Sequence, residues 1–158
     1  MKHIIQALVE NKFGVLARVA SLFSARGFNI DSLAVGETHD PSISCMTIVV
    51  DAEDELILEQ IKKQLHKLID VITVVELTNK EHISRELILF KVNFKDEKEL
   101  EKIKEELKNF SGEILDVKKD YVVIQLIGEP QNIRAFAGEM KKFGIRELVR
   151  TGVIAISK

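Results

Sequence analysis

The stretch Asn11-Lys12-Phe13-Gly14-Val15-Leu16-Ala17-Arg18-Val19 joins an apolar strand to an amphipathic helix. Residues 3–10, which precede it, are apolar and rich in β-branched side chains, as is typical of a strand buried on at least one face. From Val15 onward the apolar residues follow helical spacing. The stripe that this spacing predicts comprises Val15, Leu16, Val19, Leu22 and Phe23. Gly27 follows where a left-handed C-cap belongs, so the pattern predicts a strand, a loop and a capped helix.

The chain then continues into a complete unit of four strands and two helices. Residues 28–50 predict an antiparallel hairpin around the turn Asp40-Pro41-Ser42. Asp51 is predicted to cap a second helix, with Asp54 in its first turn. Residues 71–77 are rich in β-branched side chains and predict the last strand. The predicted order is βαββαβ.

The same order repeats after a polar segment. Residues 78–84 read Thr-Asn-Lys-Glu-His-Ile-Ser and predict a linker between two domains, residues 1–77 and 85–158. The last strand region, 145–156, is predicted to break near Thr151-Gly152. Two such units predict an α+β fold of two tandem ferredoxin-like βαββαβ domains. Each domain has an antiparallel four-stranded sheet with two helices on one face.

Composition limits the class of protein. The chain has 158 residues, of which 46% are hydrophobic and 30% charged, and this balance is typical of a globular protein. Its apolar runs are strand-sized and no charged-then-apolar leader precedes His3, which predicts a cytoplasmic location without a membrane span. A formal net charge of −2 gives no electrostatic footprint for nucleic acid. Cys45 is the only cysteine, so an internal disulfide is excluded.

The sequence offers little that resembles a catalytic or metal site. The four histidines show no i,i+4 pair and no carboxylate at a metal-ligand offset. No nucleophile elbow, Walker loop or dinucleotide fingerprint is present. The lysines and carboxylates of residues 98–108 alternate as they do on a solvated helix face. We therefore predict that the chain is not an enzyme and holds no metal.

The start of the first helix has the chemistry of a site for a small zwitterion. Its first backbone N–H groups lack helical partners and carry partial positive charge, so the amides of Gly14, Val15 and Leu16 can hold a carboxylate. The side-chain oxygens of Asn11 and Asn29 can accept hydrogen bonds from an ammonium group. The alternative is that these residues only form a turn, cap the helix and start a strand. Spacing alone favours that alternative.

A family resemblance covers nearly the whole chain. It is carried first by Glu10-Asn11-Lys12-Phe13-Gly14-Val15-Leu16-Ala17-Arg18-Val19 and Leu22-Phe23-Ser24-Ala25-Arg26-Gly27-Phe28-Asn29-Ile30-Asp31-Ser32-Leu33. These stretches resemble the ACT domain of the small, regulatory subunit of acetohydroxyacid synthase, also called acetolactate synthase. Arg85-Glu86-Leu87-Ile88-Leu89 and Arg150-Thr151-Gly152-Val153 are similar to the start and end of the C-terminal domain in that family.

The resemblance implies a regulatory function. Members of the family activate a large catalytic subunit and make it sensitive to feedback inhibition by a branched-chain amino acid, usually valine. The resemblance implies no cofactor in this chain, whereas the catalytic partner is expected to hold thiamine diphosphate, Mg and FAD. It also implies a homodimer through the ACT domains, with the effector at their interface, where one chain contributes the first asparagine and the helix-start amides and its neighbour contributes Asn29 and Ile30. The matching site residues are Asn11, Gly14, Val15, Leu16, Asn29 and Ile30.

Several alternatives stay open at the level of sequence. The effector can be valine, isoleucine or leucine, since one methylene in an apolar pocket contributes only about 1–3 kcal/mol. A stand-alone ACT protein that senses an amino acid and controls transcription or another enzyme is the rival function. The C-terminal domain either extends the dimer or carries a second regulatory site.

Overall fold

A computed structural model of the chain describes residues 2–52 and 55–158. Within these residues the elements are, in chain order, β1 (Lys2–Glu10), α1 (Val15–Ser24), β2 (Ile30–Glu37), β3 (Ile43–Asp51), α2 (Glu55–His66), β4 (Val71–Glu76), β5 (His82–Asn93), α3 (Glu97–Asn109), β6 (Glu113–Val117), β7 (Tyr121–Gly128), α4 (Pro130–Met140), β8 (Ile145–Arg150) and β9 (Ile154–Ser157). They form two compact units. The first contains the residues up to Ile83 together with Val153–Lys158, and the second contains Ser84–Gly152.

The first unit is an antiparallel sheet of strand order β2-β3-β1-β4 with α1 and α2 on one face. Side chains of β1 alternate between buried and half-buried, because successive residues of a strand point to opposite faces. The buried side chains of β1 and β3 pack against the apolar stripes of both helices. This core comprises Ile5, Ala7, Val9, Val15, Val19, Leu22, Phe23, Met46, Ile48, Val50, Leu58, Ile61 and Leu65.

Helix α1 ends in the C-cap predicted at Gly27, whose φ is 70°. The Phe28 N–H donates to Phe23 O at 3.0 Å, and the Gly27 N–H donates to Ser24 O at 3.1 Å. These two bonds form a Schellman motif, which satisfies carbonyls that the end of the helix leaves unpaired. The prediction at Gly27 is confirmed. The motif turns the chain into β2 and places Asn29 just before that strand.

One prediction about the helices of the first unit is wrong. Leu16 is 46% exposed and is not part of the apolar stripe that packs on the sheet, whereas Val15 is 3% exposed. A helix rotates about 100° per residue, so the residue after a core-facing valine points towards the flank. Asp51 pairs with Lys2 as the last residue of β3, and its role as the cap of α2 stays a prediction, because residues 53 and 54 lie outside the described residues. Asp54 lies outside the described residues.

The second unit repeats the topology of the first. Its sheet has the order β6-β7-β5-β8, and α3 and α4 pack on one face around Ile88, Phe90, Val92, Ile103, Leu107, Val122, Ile124, Leu126, Ile133, Phe136 and Met140. Asp96 caps helix α3, because the Glu99 N–H donates to Asp96 Oδ1 at 2.9 Å, and Glu99 Oε2 accepts the Lys95 N–H at 2.9 Å. The predicted fold of two ferredoxin-like units is confirmed.

The last residues of the chain add a further strand, β9. The predicted break near Gly152 is present, with φ of 84° at that glycine, and β8 and β9 lie on either side of it. Strand β9 pairs with β5 and packs with the first unit. There the Val153 N–H donates to Ser32 Oγ at 2.9 Å, and Gln6 Nε2 donates to Ala155 O at 3.0 Å. The C-terminal six residues thus belong by packing to the first unit, although the sequence pattern groups them with 85–158.

Candidate functional site

The loop between β1 and α1 places a glycine at the start of the helix. Gly14 is the N-cap residue of α1, with φ of 81° and ψ of −3°, in the left-handed region that glycine adopts without steric cost. The cap makes no side-chain hydrogen bond. The helix therefore starts with its first N–H groups uncapped by a side chain.

Two of the three predicted amides are open to a ligand. The Val15 N–H donates to Lys12 O at 3.3 Å, which closes a turn within the loop. In residues 2–52 and 55–158, neither the Gly14 N–H nor the Leu16 N–H has a hydrogen-bond acceptor. Unpaired N–H groups at a helix start attract an anion, because the peptide dipoles add partial positive charge there. Of the three predicted amides, those of Gly14 and Leu16 are therefore free to donate to a carboxylate.

Asn11 is held by the β2–β3 hairpin. Its backbone N–H donates to Ser42 O at 2.7 Å, and its side-chain Nδ2 donates to Pro41 O at 2.8 Å and to Glu37 Oε1 at 3.1 Å. Both amide hydrogens are thereby used. Among the described residues, no donor reaches Asn11 Oδ1. The side chain is fixed with a free acceptor, which is what an ammonium ligand requires.

Asn29 and Ile30 lie at the beginning of β2. Asn29 is exposed, and its Nδ2 donates to Asp31 Oδ1 at 2.8 Å, which leaves its own Oδ1 free within the described chain. Ile30 pairs with Val50, and the register of β2 shifts between Ile30 and Ser32. Strand β2 is an edge of its sheet, so one side of it carries no strand of this unit.

The structure brings together only part of the predicted site. Asn11, Gly14, Val15 and Leu16 lie at the N-terminal end of α1, whereas residues 29 and 30 follow its C-terminal end. Helix α1 has ten residues. At a rise of 1.5 Å per residue, the two groups are separated by about 15 Å along the helix. A single chain does not surround one small ligand with both groups.

An ion pair that local sequence pattern does not indicate lies beside this loop. Arg18 Nε and Nη2 each lie 2.7 Å from Asp70 Oδ2, and Asp70 is 6% exposed. The backbone of Asp70 also contributes, since its carbonyl accepts the Glu10 N–H at 2.8 Å. The available signal was an acidic residue between the apolar Ile69 and Val71, but 52 positions separate Arg18 from Asp70 and no local pattern connects them.

Other kinds of site find little support in the described residues. Within 2–52 and 55–158, no group of three or more His, Cys, Asp or Glu side chains is arranged to hold a metal ion. Burial raises the pKa of the Cys45 thiol above its ordinary value of 9.0, which keeps it in the weakly nucleophilic protonated form. No helix in this part of the chain is long and apolar enough to cross a membrane.

Comparison with known proteins identifies the family. Residues 5–73 match the AHAS small subunit-like ACT domain, and residues 85–158 match the small subunit of acetolactate synthase. A probable acetolactate synthase small subunit from Methanothermobacter thermautotrophicus is 47% identical, over 99% of this chain and 92% of its own length. The acetolactate synthase small subunit of Mycolicibacterium smegmatis is 46% identical, over 99% and 91%.

A solved structure agrees with these matches. The crystal structure of the acetolactate synthase small subunit from Thermotoga maritima superposes with a TM-score of 0.86 at 35% sequence identity, and covers 100% of this chain and 98% of that one. Both structural units of this chain therefore have counterparts in a single known subunit. The chain belongs to the family of acetolactate synthase small subunits, the non-catalytic ACT-domain subunits of that enzyme.

Proposed function

We propose that this chain activates the large catalytic subunit of an acetolactate synthase and makes it sensitive to feedback inhibition by a branched-chain amino acid, with valine as the first candidate. Membership of the small-subunit family over both domains supports this function. Thiamine diphosphate, Mg and FAD belong to the catalytic subunit in this proposal, and this chain holds no cofactor. The complex acts in the cytoplasm, in the synthesis of valine, leucine and isoleucine.

The effector binds through its two charged ends. Its carboxylate accepts hydrogen bonds from the open amides of Gly14 and Leu16 at the start of α1. Its ammonium group donates to Asn11 Oδ1, which the hairpin holds in place through two other hydrogen bonds. The Leu16 side chain is 46% exposed beside these groups and offers apolar surface to the side chain of the effector.

A second copy of the chain completes the site. The observation that carries the proposal is that Asn29 and Ile30 lie at the far end of α1 from Gly14, about 15 Å away along the helix. In a homodimer formed through the ACT domains, the neighbour supplies Asn29 Oδ1 as a second ammonium acceptor and Ile30 as an apolar wall. The open edge of β2, where these two residues lie, supports association through this side of the sheet.

Regulation follows from a ligand that is shared by two chains. An effector that touches both copies favours the dimer geometry in which both sets of residues reach it. The catalytic subunit then binds a dimer of altered geometry, and the difference in affinity between the two geometries sets the size of the response. None of the proposed effector residues takes part in the chemistry of the synthase.

Reconstitution tests this function. The full chain is mixed with the purified catalytic subunit of its own acetolactate synthase, and co-elution, synthase activity and inhibition by valine, leucine and isoleucine are measured. We expect a stable complex, increased activity and inhibition by at least one of the three amino acids. A chain that binds valine but neither binds nor activates the synthase would instead be a stand-alone amino-acid sensor.

A further inference from the structure

We infer that Arg18 is a further residue of the effector site and that its Nη1 donates a hydrogen bond to the carboxylate of the effector. Asp70 acts as the positioning residue that holds the guanidinium in place. This inference rests on the proposed function, because it assigns an additional contact to the same site. It concerns recognition of the effector and no step of the synthase reaction.

The geometry places the guanidinium beside the open amides. A Cβ built on Gly14 would lie 3.1 Å from Arg18 Nη1, so the absence of a side chain at position 14 leaves space in front of this nitrogen. Arg18 is one helical turn after Gly14, and its own N–H donates to Gly14 O at 3.0 Å. Long side chains on a helix point back towards the N-terminus, which brings the guanidinium to the loop.

The other two guanidinium nitrogens are already occupied. Nε and Nη2 both lie 2.7 Å from Asp70 Oδ2. Nη1 has no partner among the residues that the structure describes. The Arg18 side chain is 48% exposed, so a small ligand reaches it. A planar guanidinium fixed on one edge by a buried carboxylate presents Nη1 in a defined direction.

Electrostatics indicates an anion as the partner of Nη1. A cation near a helix N-terminus lies close to the partial positive charge of the peptide dipoles, which is unfavourable without compensation. Asp70 supplies one negative charge, but on the side of the guanidinium away from Nη1. A carboxylate that contacts the Gly14 and Leu16 amides and also Nη1 is therefore stabilised by two sources of positive charge.

Asp70 fixes both sides of the loop. Its carboxylate orients Arg18, and its backbone oxygen accepts the Glu10 N–H at 2.8 Å, one residue before Asn11. Asp70, in the connection between α2 and β4, therefore helps to position both Arg18, the proposed donor to the carboxylate, and Asn11, the proposed acceptor for the ammonium group. Such preorganisation lowers the ordering cost of binding.

Titration calorimetry with valine and valinamide tests the inference. Valinamide keeps the ammonium group and side chain of valine but lacks the carboxylate. The full chain is titrated alone and together with the catalytic subunit, as wild type, Arg18→Gln and Asp70→Asn. We expect Arg18→Gln to weaken valine binding by about 10- to 100-fold, as for loss of a hydrogen bond to a charged group, and to change valinamide binding little. Asp70→Asn is expected to weaken valine binding by a smaller factor.

Arg26→Gln is the matched control. Arg26 follows the same helix, but its guanidinium donates to Leu22 O and Gln64 Oε1, away from Gly14. This variant is expected to bind valine as the wild type does. Thermal melts of every variant show whether the fold is kept, and Arg18→Lys serves if Arg18→Gln does not fold. A lysine keeps the charge but cannot contact Asp70 and the ligand with a planar fork, so it is also expected to bind valine more weakly.

The outcomes separate this inference from the proposed function. If the wild type binds valine and Arg18→Gln binds it equally well, the role of Arg18 is wrong and the effector site stands. If Arg18→Gln loses valine and valinamide to the same degree, Arg18 only maintains the fold and the inference is overturned. If the wild type binds none of the three branched-chain amino acids, alone or in the complex, both the effector site and the role of Arg18 are overturned.

Discussion

Arg18 on α1 and Asp70 before β4 form a two-point ion pair, in which Nε and Nη2 each lie 2.7 Å from the same carboxylate oxygen. The partners differ in exposure, since the Asp70 side chain is 9% exposed and the Arg18 side chain 48%. Loss of the arginine leaves a charge buried without its partner, whereas loss of the carboxylate leaves a charge that water can solvate. The pair is therefore energetically asymmetric.

We expect Arg18→Met to destabilise the protein more than Asp70→Asn. The first change strands a buried carboxylate and is expected to cost about 3–5 kcal/mol, while the second is expected to cost about 1–3 kcal/mol. The double variant Arg18→Met/Asp70→Asn is expected to be more stable than Arg18→Met alone. Urea unfolding followed by circular dichroism measures all three. Equal stability of the two single variants would contradict the asymmetry.

Gly112 permits a close approach in the second unit. A Cβ at this position would collide with the Leu107 side chain and lie 3.1 Å from Gln125 O. Leu107 is buried and has little room to move, so Gly112→Ala is expected to destabilise the protein by about 1–3 kcal/mol. Gly138→Ala is the control, because a Cβ there meets nothing within 4 Å and α4 gains about 0.5–1 kcal/mol. The melting temperature should fall for Gly112→Ala and rise for Gly138→Ala.

Gly14→Asp is expected to abolish effector binding. The new carboxylate lies where the carboxylate of the effector is proposed to bind, and the repulsion amounts to about 4 kcal/mol at a separation near 4 Å. Gly14→Asn is the matched control, since asparagine tolerates the same left-handed backbone and adds no charge. Calorimetry with valine should show a much larger loss for Asp than for Asn. Unchanged affinity in Gly14→Asp would contradict the assignment of Gly14.

The turn that holds Asn11 should respond to acid. Ser42 donates from its Oγ at 2.7 Å and from its N–H at 2.9 Å to Asp40 Oδ1, and these bonds hold the pKa of that carboxyl below its ordinary value of 3.8. A lowered folded pKa means that the stabilisation is present above pH 3.8 and is lost as the pH falls through the folded pKa.

Ser42→Ala is therefore expected to raise the pKa of Asp40 towards 3.8. Carboxyl carbon NMR over the acidic range measures it. Asp120 is an internal control, because its pKa is lowered by a hydrogen bond from Arg146 and should be the same in both proteins. An Asp40 pKa that does not move would mean that the Ser42 hydroxyl does not stabilise the turn.

Local pattern was sufficient for most of the fold. Helical and strand spacing predicted the order of elements, and the conformational freedom of glycine identified the end of α1 at Gly27. Local pattern does not show features that tertiary contacts decide. Strand β5 begins at His82, inside the polar segment 78–84, because β9 pairs with it. Nothing in the sequence of residues 153–158 indicates that they return to Ser32 and Gln6.

The candidate site was likewise predictable only in part. The glycine at a helix start and the nearby asparagine are visible as a motif, and their geometry suits a zwitterion. The pairing of Arg18 with Asp70 was invisible, since it joins residues 52 positions apart. The separation of Asn29 from Gly14 was predictable, because the helix predicted between Val15 and Gly27 lies between these two residues.

In the proposed dimer, each effector site combines Asn11 of one chain with Asn29 of another. Asn11→Ala and Asn29→Ala are each expected to weaken valine binding, by loss of an acceptor for the ammonium group. In a twofold-symmetric dimer of either variant, each of the two sites lacks one of its two asparagines. A mixed dimer carries both defects in one site and none in the other.

Equal amounts of the two variants are therefore mixed, allowed to exchange subunits and titrated with valine. Random exchange makes half of the dimers mixed, so we predict that about a quarter of all sites regain wild-type affinity. The same titration of each variant alone should show none. If subunit exchange is demonstrated and the mixture contains no sites of wild-type affinity, the two asparagines do not act across the dimer and the proposed shared site is contradicted.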